Sequence, residues 1–250
     1  MKHKLLFLPF LVAIVGLSML GPKLGVSPTV SVVSEAKADG PVVVELFTSQ
    51  SCSSCPPADE LLGELAAKDA NIIAFSCHVT YWDHLNWRDT WSRKFCTNRQ
   101  RAYARHLGSK QVYTPQMVVN GAHEFVGSNR AKAQRQVAAG AGGAVLAIEL
   151  KQTADGLTAT LPALPAGSPK QTLWLLRYQS SHTQAIKSGE NRGKTITYTN
   201  SVDTLDQVGV WDGAAETRTF PTPEGEAESP GFAVIAQPNG FGAISAAGRI

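Results

Sequence analysis

Val42-Val43-Val44-Glu45-Leu46-Phe47-Thr48-Ser49-Gln50-Ser51-Cys52-Ser53-Ser54-Cys55-Pro56-Pro57-Ala58-Asp59 is the stretch on which the fold reading turns. The apolar run Val42 to Phe47, ending in small polar residues, reads as a strand. Proline is tolerated only in the first turn of a helix and disfavours helical geometry in the residue before it. Pro56-Pro57 therefore fixes a helix start close to Cys55–Pro57. From Pro57 to Ala67 the leucines at 61, 62 and 65 share one face, and a second strand follows over Asn71 to Val79. The stretch thus opens a β-α-β unit with Cys52-Ser53-Ser54-Cys55 at the strand-to-helix turn.

Working outward, a polar and aromatic segment precedes a helix expected over Thr90 to Leu107. A strand over Gln116 to Asn120, a turn at Asn120-Gly121, a strand over Glu124 to Val126 and a helix over Asn129 to Ala139 come next. Gly140-Ala141-Gly142-Gly143 reads as a linker, since its glycines favour flexible backbone and offer little to pack. Beyond it strands are expected at Val145 to Leu150, Leu157 to Leu161, Thr172 to Gln179, Lys194 to Thr199 and Gly231 to Gln237. The expected organisation is residues 39–140 as one domain with an insertion around 80–92, then 144–250 as a β-rich unit.

Two thiols separated by two residues can cycle between dithiol and disulfide within one turn. The attacking species is a thiolate, which a helix N-terminus stabilises. On this reading Cys52 is the attacking thiol and the inward-facing Cys55 the resolving one. Between them Ser53 and Ser54 supply no cation, so strong acidification is not written in the motif. Three other readings stand beside the redox one: half a zinc site, a soft-metal site such as copper(I) with His78 or another nearby His as a third ligand, and an inert disulfide. No second CxxC supports zinc.

The sequence resembles the thioredoxin-like superfamily, and more closely a secreted branch of it known as the DUF1223 family. The resemblance is carried by Val44 to Gln50 leading into Cys52 to Asp59, by His78-Val79 with Tyr81-Trp82-Asp83, and by Arg99-Gln100-Arg101-Ala102-Tyr103. It continues in Tyr113-Thr114-Pro115-Gln116-Met117-Val118-Val119-Asn120-Gly121, Gly189-Glu190-Asn191-Arg192-Gly193 and Trp211-Asp212-Gly213. It implies an α/β thioredoxin-like domain followed by a β-rich C-terminal unit. It also implies a cis Thr114-Pro115 bond facing the CxxC, with Thr114 able to pair with an incoming peptide. A trans proline that merely starts an edge strand is the other reading. The resemblance names a fold and a redox motif but no substrate; the function expected from Cys52 and Cys55 is thiol–disulfide exchange on protein or small-molecule thiols without a cofactor or metal. A non-catalytic binding module or copper chaperone is the alternative.

Further candidates are Glu45, as an inward carboxyl accepting a proton from Cys55, and the cluster His78, Tyr81, Trp82, Asp83, His84 and Trp87. That cluster forms a substrate-groove wall, with Tyr81 and Trp82 contacting substrate and His78 or His84 moving protons, or it simply covers the core. Cys77 and Cys96 depart from the family pattern; in an exported protein such a pair most simply forms a structural disulfide. Glu190-Asn191-Arg192, between glycines, is either a turn or a functional loop near the CxxC.

Export is read from residues 1–38. Lys2 and Lys4 precede an apolar run from Leu5 to Leu20, and Ala36-Lys37-Ala38 offers small residues for cleavage after Ala38. The run holds Pro9 and Gly16 and is short of the roughly 20 residues of a spanning helix, so cleavage is favoured over a permanent anchor. The location expected is periplasmic or secreted. Of 23 Lys and Arg, four fall in this segment, with one of 20 Asp and Glu, so the formal charge of +3 becomes 19 against 19 beyond it. A balanced surface argues against a nucleic-acid-binding or polybasic membrane-binding protein.

Overall fold

Residues 40–141, 145–238 and 241–250 are described by a computed structural model. The expected leader over residues 1–38 lies outside them, as do Gly142 and Gly143 of the expected linker.

The first half follows the sequence closely. β1 (Val42–Thr48), α1 (Pro56–Lys68) and β2 (Ile72–His78) form a parallel β-α-β unit, with Val42 opposite Ile72 and Thr48 opposite His78. α2 (Lys94–Leu107), β3 (Gln116–Val119), β4 (His123–Val126) and α3 (Arg130–Gly140) complete it. β3 pairs antiparallel with both β1 and β4. α2 starts later than the sequence pattern suggests, because residues ahead of it are held in a turn: the Ser92 amide donates to Asp89 O and the Arg93 amide to His78 O.

The remaining strands are β5 (Leu146–Ala147), β6 (Glu149–Thr153), β7 (Gly156–Leu161), β8 (Gln171–Ala185), β9 (Thr195–Trp211), β10 (Glu216–Phe220), β11 (Pro230–Pro238) and β12 (Ala246–Arg249). Here the expected fold class, an α/β thioredoxin-like domain followed by a β-rich C-terminal unit, is corrected. Among the described residues the structure is mostly β, with one nine-stranded mixed sheet in the order β4-β3-β1-β2-β9-β8-β11-β12-β5 and a three-stranded sheet β10-β7-β6. The joint is at β2, whose free edge is taken by β9 in parallel, with Ser76 opposite Ser201.

The physical reason is the open edge. A buried parallel strand left at an edge would strand its amides and carbonyls and its apolar face. One apolar cluster accordingly draws on both halves, joining Val43, Ile73 and Phe75 to Leu176, Tyr178, Val202, Ala233 and Ile235. The small sheet closes a second cluster, with Leu150, Leu157 and Leu161 against Leu173, Leu175, Trp211 and Val234. The described residues, from Gly40 to Ile250, fall in one compact unit.

Side-chain alternation in β1 and β2 gives the site its two sides. Val42, Val44 and Leu46, with Ile72 and Ala74, face Leu61, Leu62 and Leu65 of α1. Phe47 and Cys77 face the other way and pack with Cys96 and Tyr103 of α2. Among the described residues no helix is long and apolar enough to cross a membrane.

Candidate functional site

Cys52 and Cys55 are joined in a disulfide across the turn between β1 and α1, with Cα atoms 5.4 Å apart. Cys55 is the residue before the first helical turn, and Pro56 and Pro57 occupy that turn as the sequence requires. Cys52 is 4% exposed and Cys55 0%, while Ser53 and Ser54 between them are exposed. The turn is hydrogen-bonded from Cys52 N to Ser49 O (3.2 Å) and from Cys55 N to Cys52 O (3.1 Å).

A helix start ordinarily leaves four backbone donors free. Here the prolines carry none, and the Ala58 and Asp59 amides both donate to Cys55 O. Ser53 N donates to Glu190 Oε2 at 3.2 Å. What remains for a Cys52 thiolate is the helix dipole and the Ser54 hydroxyl, whose oxygen lies 3.4 Å from Cys52 Sγ.

Two distant segments grip this turn. The first is the tip of the β8–β9 hairpin. Asn191, fully buried, donates from Nδ2 to Gln50 O (2.9 Å) and Cys52 O (2.8 Å). The Glu190-Asn191-Arg192 loop therefore does reach the CxxC, and the junction of β9 with β2 brings it there. The second is the insertion after β2. Gln50 N donates to Asp89 Oδ2 (2.8 Å), Trp87 Nε1 donates to Gln50 Oε1 (2.9 Å), and Ser51 Oγ donates to Trp87 O (2.7 Å).

The insertion divides its aromatic residues between the two sides. Trp87 belongs to the Cys52 turn, whereas Tyr81 and Trp82 pack on the cluster that holds Cys77 and Cys96. Burial pushes the Tyr81 hydroxyl up to about 12, and it donates to Gln100 Oε1. Trp82 Nε1 donates to Thr114 Oγ1 at 2.7 Å. The Thr114-Pro115 bond is cis. A Cβ built on Gly127 would meet Leu46 Cδ1 at 2.8 Å, Pro115 Cβ at 3.2 Å and Ala58 Cβ at 3.3 Å, so Gly127 is lodged between Pro115 and the first turn of α1. His84 is exposed.

Glu45 is not beside Cys55. Lying between Val44 and Leu46, it points to the α2 side of the sheet. There Arg99 Nε pairs with its Oε2, Arg99 Nη2 donates to its Oε1 at 2.9 Å, and the Tyr103 hydroxyl donates to the same oxygen at 2.5 Å. Removing this buried carboxylate from Cys55 corrects the proton-transfer role expected for it: it is the counter-ion of Arg99.

The α1 side carries a different set of buried polar groups. His78 Nδ1 lies 2.8 Å from Asp89 Oδ2, and its Nε2 lies 3.3 Å from Ser201 Oγ. With both ring nitrogens thus engaged, His78 is poorly placed as the third ligand of a copper site. Among the described residues no group of three or more Cys, His, Asp or Glu has metal-site geometry. Tyr198 packs edge-on against His78 with ring centroids 4.8 Å apart, and His182 stacks on Tyr198.

Below Cys55 sits Asp59, 2% exposed, which sequence reasoning missed. Burial pushes its carboxyl up to about 7; His78 and the nearby Thr48 hydroxyl oppose the rise and Asp89 adds to it. Neither carboxyl oxygen, nor the Thr48 hydroxyl, makes a hydrogen bond of regular geometry among the described residues. A signal did exist: an acid at position i+4 from Cys55 and i−3 from Leu62 falls on the apolar stripe.

Cys77 and Cys96 are also joined, with Cα atoms 5.2 Å apart. Their disulfide ties β2 to α2 inside the cluster of Phe47, Val79, Tyr103 and Val118.

A family model described as a protein of unknown function, DUF1223, matches residues 43–237. An X-ray crystal structure of an Agrobacterium tumefaciens protein is similar at 31% identity and a TM-score of 0.72, over 84% of this chain and 93% of that one. The structure of HBP35 of Porphyromonas gingivalis is similar in fold at 17% identity and a TM-score of 0.56, over 84% of this chain and 74% of that one. No curated protein sequence gives a match.

Proposed function

Since the chain belongs to the DUF1223 family, whose description names no chemistry, the site must supply one, and we propose thiol–disulfide exchange at Cys52 and Cys55 by an exported protein. The observation that carries this is the placing of the disulfide: a closed pair at a helix start, with exposed Ser53 and Ser54 between its two cysteines. A disulfide meant only to staple gains little from a three-residue separation, because loop closure adds stability with length.

In the step proposed, a partner thiolate attacks Cys52 Sγ, and the Cys52–Cys55 bond breaks with its electron pair on Cys55. Cys55 takes a proton. A second partner thiolate then attacks the partner sulfur of the mixed disulfide and releases Cys52. The partner dithiol loses two electrons and two protons, and the cysteine pair gains them; the reverse sequence reduces a partner disulfide. Thr114 and Pro115, with Trp82 behind them, are the proposed wall against which the partner lies. Tyr81 supports Trp82 from the core. The leader-like residues 1–38 and the two disulfides support a periplasmic or secreted location.

The test is the reduction potential of the Cys52–Cys55 pair together with capture of partners. A potential above about −300 mV, and mixed disulfides held by Cys55→Ser but not by the Cys52→Ser, Cys55→Ser double variant, are the expected results. A lower potential with nothing captured would show the pair to be inert.

A further inference from the structure

The exchange step leaves Cys55 with a proton to gain or lose in a place closed to solvent. Its neighbour is Asp59, four residues along α1, whose amide donates to Cys55 O at 3.1 Å. Side chains so spaced lie one above the other on a helix face, about 5–6 Å apart at Cβ. Acids in a first helical turn ordinarily point outward, where the dipole and water both favour the charge. Asp59 instead points under the helix, and both its oxygens lack a hydrogen-bond partner among the described residues.

The groups facing it come from every element packed there. They are Thr48 on β1, His78 on β2, Asp89 ahead of α2 and Tyr198 on β9, with His182 of β8 stacked behind Tyr198. His78 and Asp89 already satisfy each other. A buried carboxyl with only His78 and the nearby Thr48 hydroxyl to favour its charge, and no hydrogen bond of regular geometry, is costly when charged; Leu or Ala would continue the stripe.

We infer that Asp59 carries the proton of Cys55, donating it to Cys55 Sγ as the Cys52–Cys55 bond breaks and taking it back when the bond re-forms, directly or through one bridging water. This rests on the exchange reading and deepens it. On reduction the electron pair of the broken bond stays on Cys55 Sγ, the proton passes from Asp59 Oδ to that sulfur, and the resulting carboxylate is re-protonated from solvent. Because burial holds the carboxyl near 7, both its forms are available at neutral pH.

The experiment is the rate of reduction of the Cys52–Cys55 disulfide by excess dithiothreitol from pH 5 to 9. Alkylation and peptide mass analysis separate this pair from Cys77–Cys96, and the rate is divided by the dithiothreitol thiolate concentration. For the wild type the normalised rate should fall at least tenfold as pH rises through about 7, because the proton donor is lost. Asp59→Asn should be slower below pH 7 by a similar factor and show no step. A flat wild-type profile, or a step retained in Asp59→Asn, overturns the inference. Should Asp59→Asn fail to fold, Asp59→Ser, which also lacks the carboxyl, is read in its place with the same two outcomes. Dithiothreitol reduces the bond whether or not the chain has exchange partners, so this outcome is separate from the capture experiment above. A merely structural Asp59 would alter the melting temperature and leave the profile alone.

Discussion

The two disulfides lie on opposite sides of one sheet, and adjacent residues of β2 serve them: His78 faces the α1 side with Cys55, and Cys77 faces the α2 side with Cys96. Cys77–Cys96 spans 19 residues and is walled by Phe47, Val79, Tyr103 and Val118. Cys52–Cys55 spans three and is surrounded by Asn191, Gln50, Ser54 and Asp59. Chain entropy assigns roughly 3 kcal/mol to closing a loop like the first and roughly 2 kcal/mol to the second. The longer bridge thus has more to give to stability and no exposed neighbour to admit a partner. The shorter one has less to give and a polar surround that answers to charge and protons.

Substitution of each pair should break the comparison most sharply. Cys52→Ser should abolish exchange with dithiol partners while costing no more than about 2 kcal/mol. Cys77→Ser with Cys96→Ser should cost about 3 kcal/mol in urea unfolding and leave exchange by Cys52 and Cys55 within a few-fold of wild type. Equal loss of exchange in both variants would dissolve the distinction between a working pair and a staple.

Next in size is the clamp on the turn. Asn191→Ala removes both donors to the Gln50 and Cys52 carbonyls, and leaving buried acceptors unmet costs about 1–3 kcal/mol. Urea unfolding should register that loss, and hydrogen exchange should show residues 50–55 losing protection while amides flanking Cys77 and Cys96 keep theirs. Matching losses at both disulfides would mean that the hairpin tip supports the whole sheet rather than one turn.

How much of this could be read in advance differs between the same two regions. The turn and the first seven elements are legible because each depends on nearby residues: apolar runs, Pro56-Pro57, and an Asn120-Gly121 turn with both residues at positive φ. The joint between β2 and β9 is a pairing across 125 residues held by one register pair, Ser76 with Ser201, and serines carry no strand signal. β8 and β9 also run past the expected Thr172 to Gln179 and Lys194 to Thr199 because added residues such as Ser181, Thr183, Asn200 and Asp203 are polar, and β-bulges at Leu173/Trp174 and Arg177/Tyr178 break the alternation. Without that joint the reach of Asn191 to Cys52 is invisible. Glu45 was recognisable as a buried carboxylate from its apolar strand, but not its partner Arg99, 54 residues on. Asp59 was passed over because an acid in a first helical turn ordinarily needs no explanation.

The smallest effect is the most local. With Pro56 and Pro57 removing two donors and Glu190 holding Ser53 N, the Ser54 hydroxyl is the side-chain donor left beside Cys52 Sγ. A hydrogen bond to a charged acceptor is worth about 1.5–3 kcal/mol when buried. Ser54 is exposed, so water replaces much of what is lost, and Ser54→Ala should raise the Cys52 thiol pKa only modestly. The thiolate absorbance near 240 nm, titrated in the reduced Cys55→Ser background, measures it directly. Attack by Cys52 should slow by a factor of a few at neutral pH, with the stability of the fold and the Cys77–Cys96 bond unchanged. An unchanged pKa would place the stabilisation of that thiolate in the α1 dipole alone, and the serines would then matter only as the gap through which a partner enters.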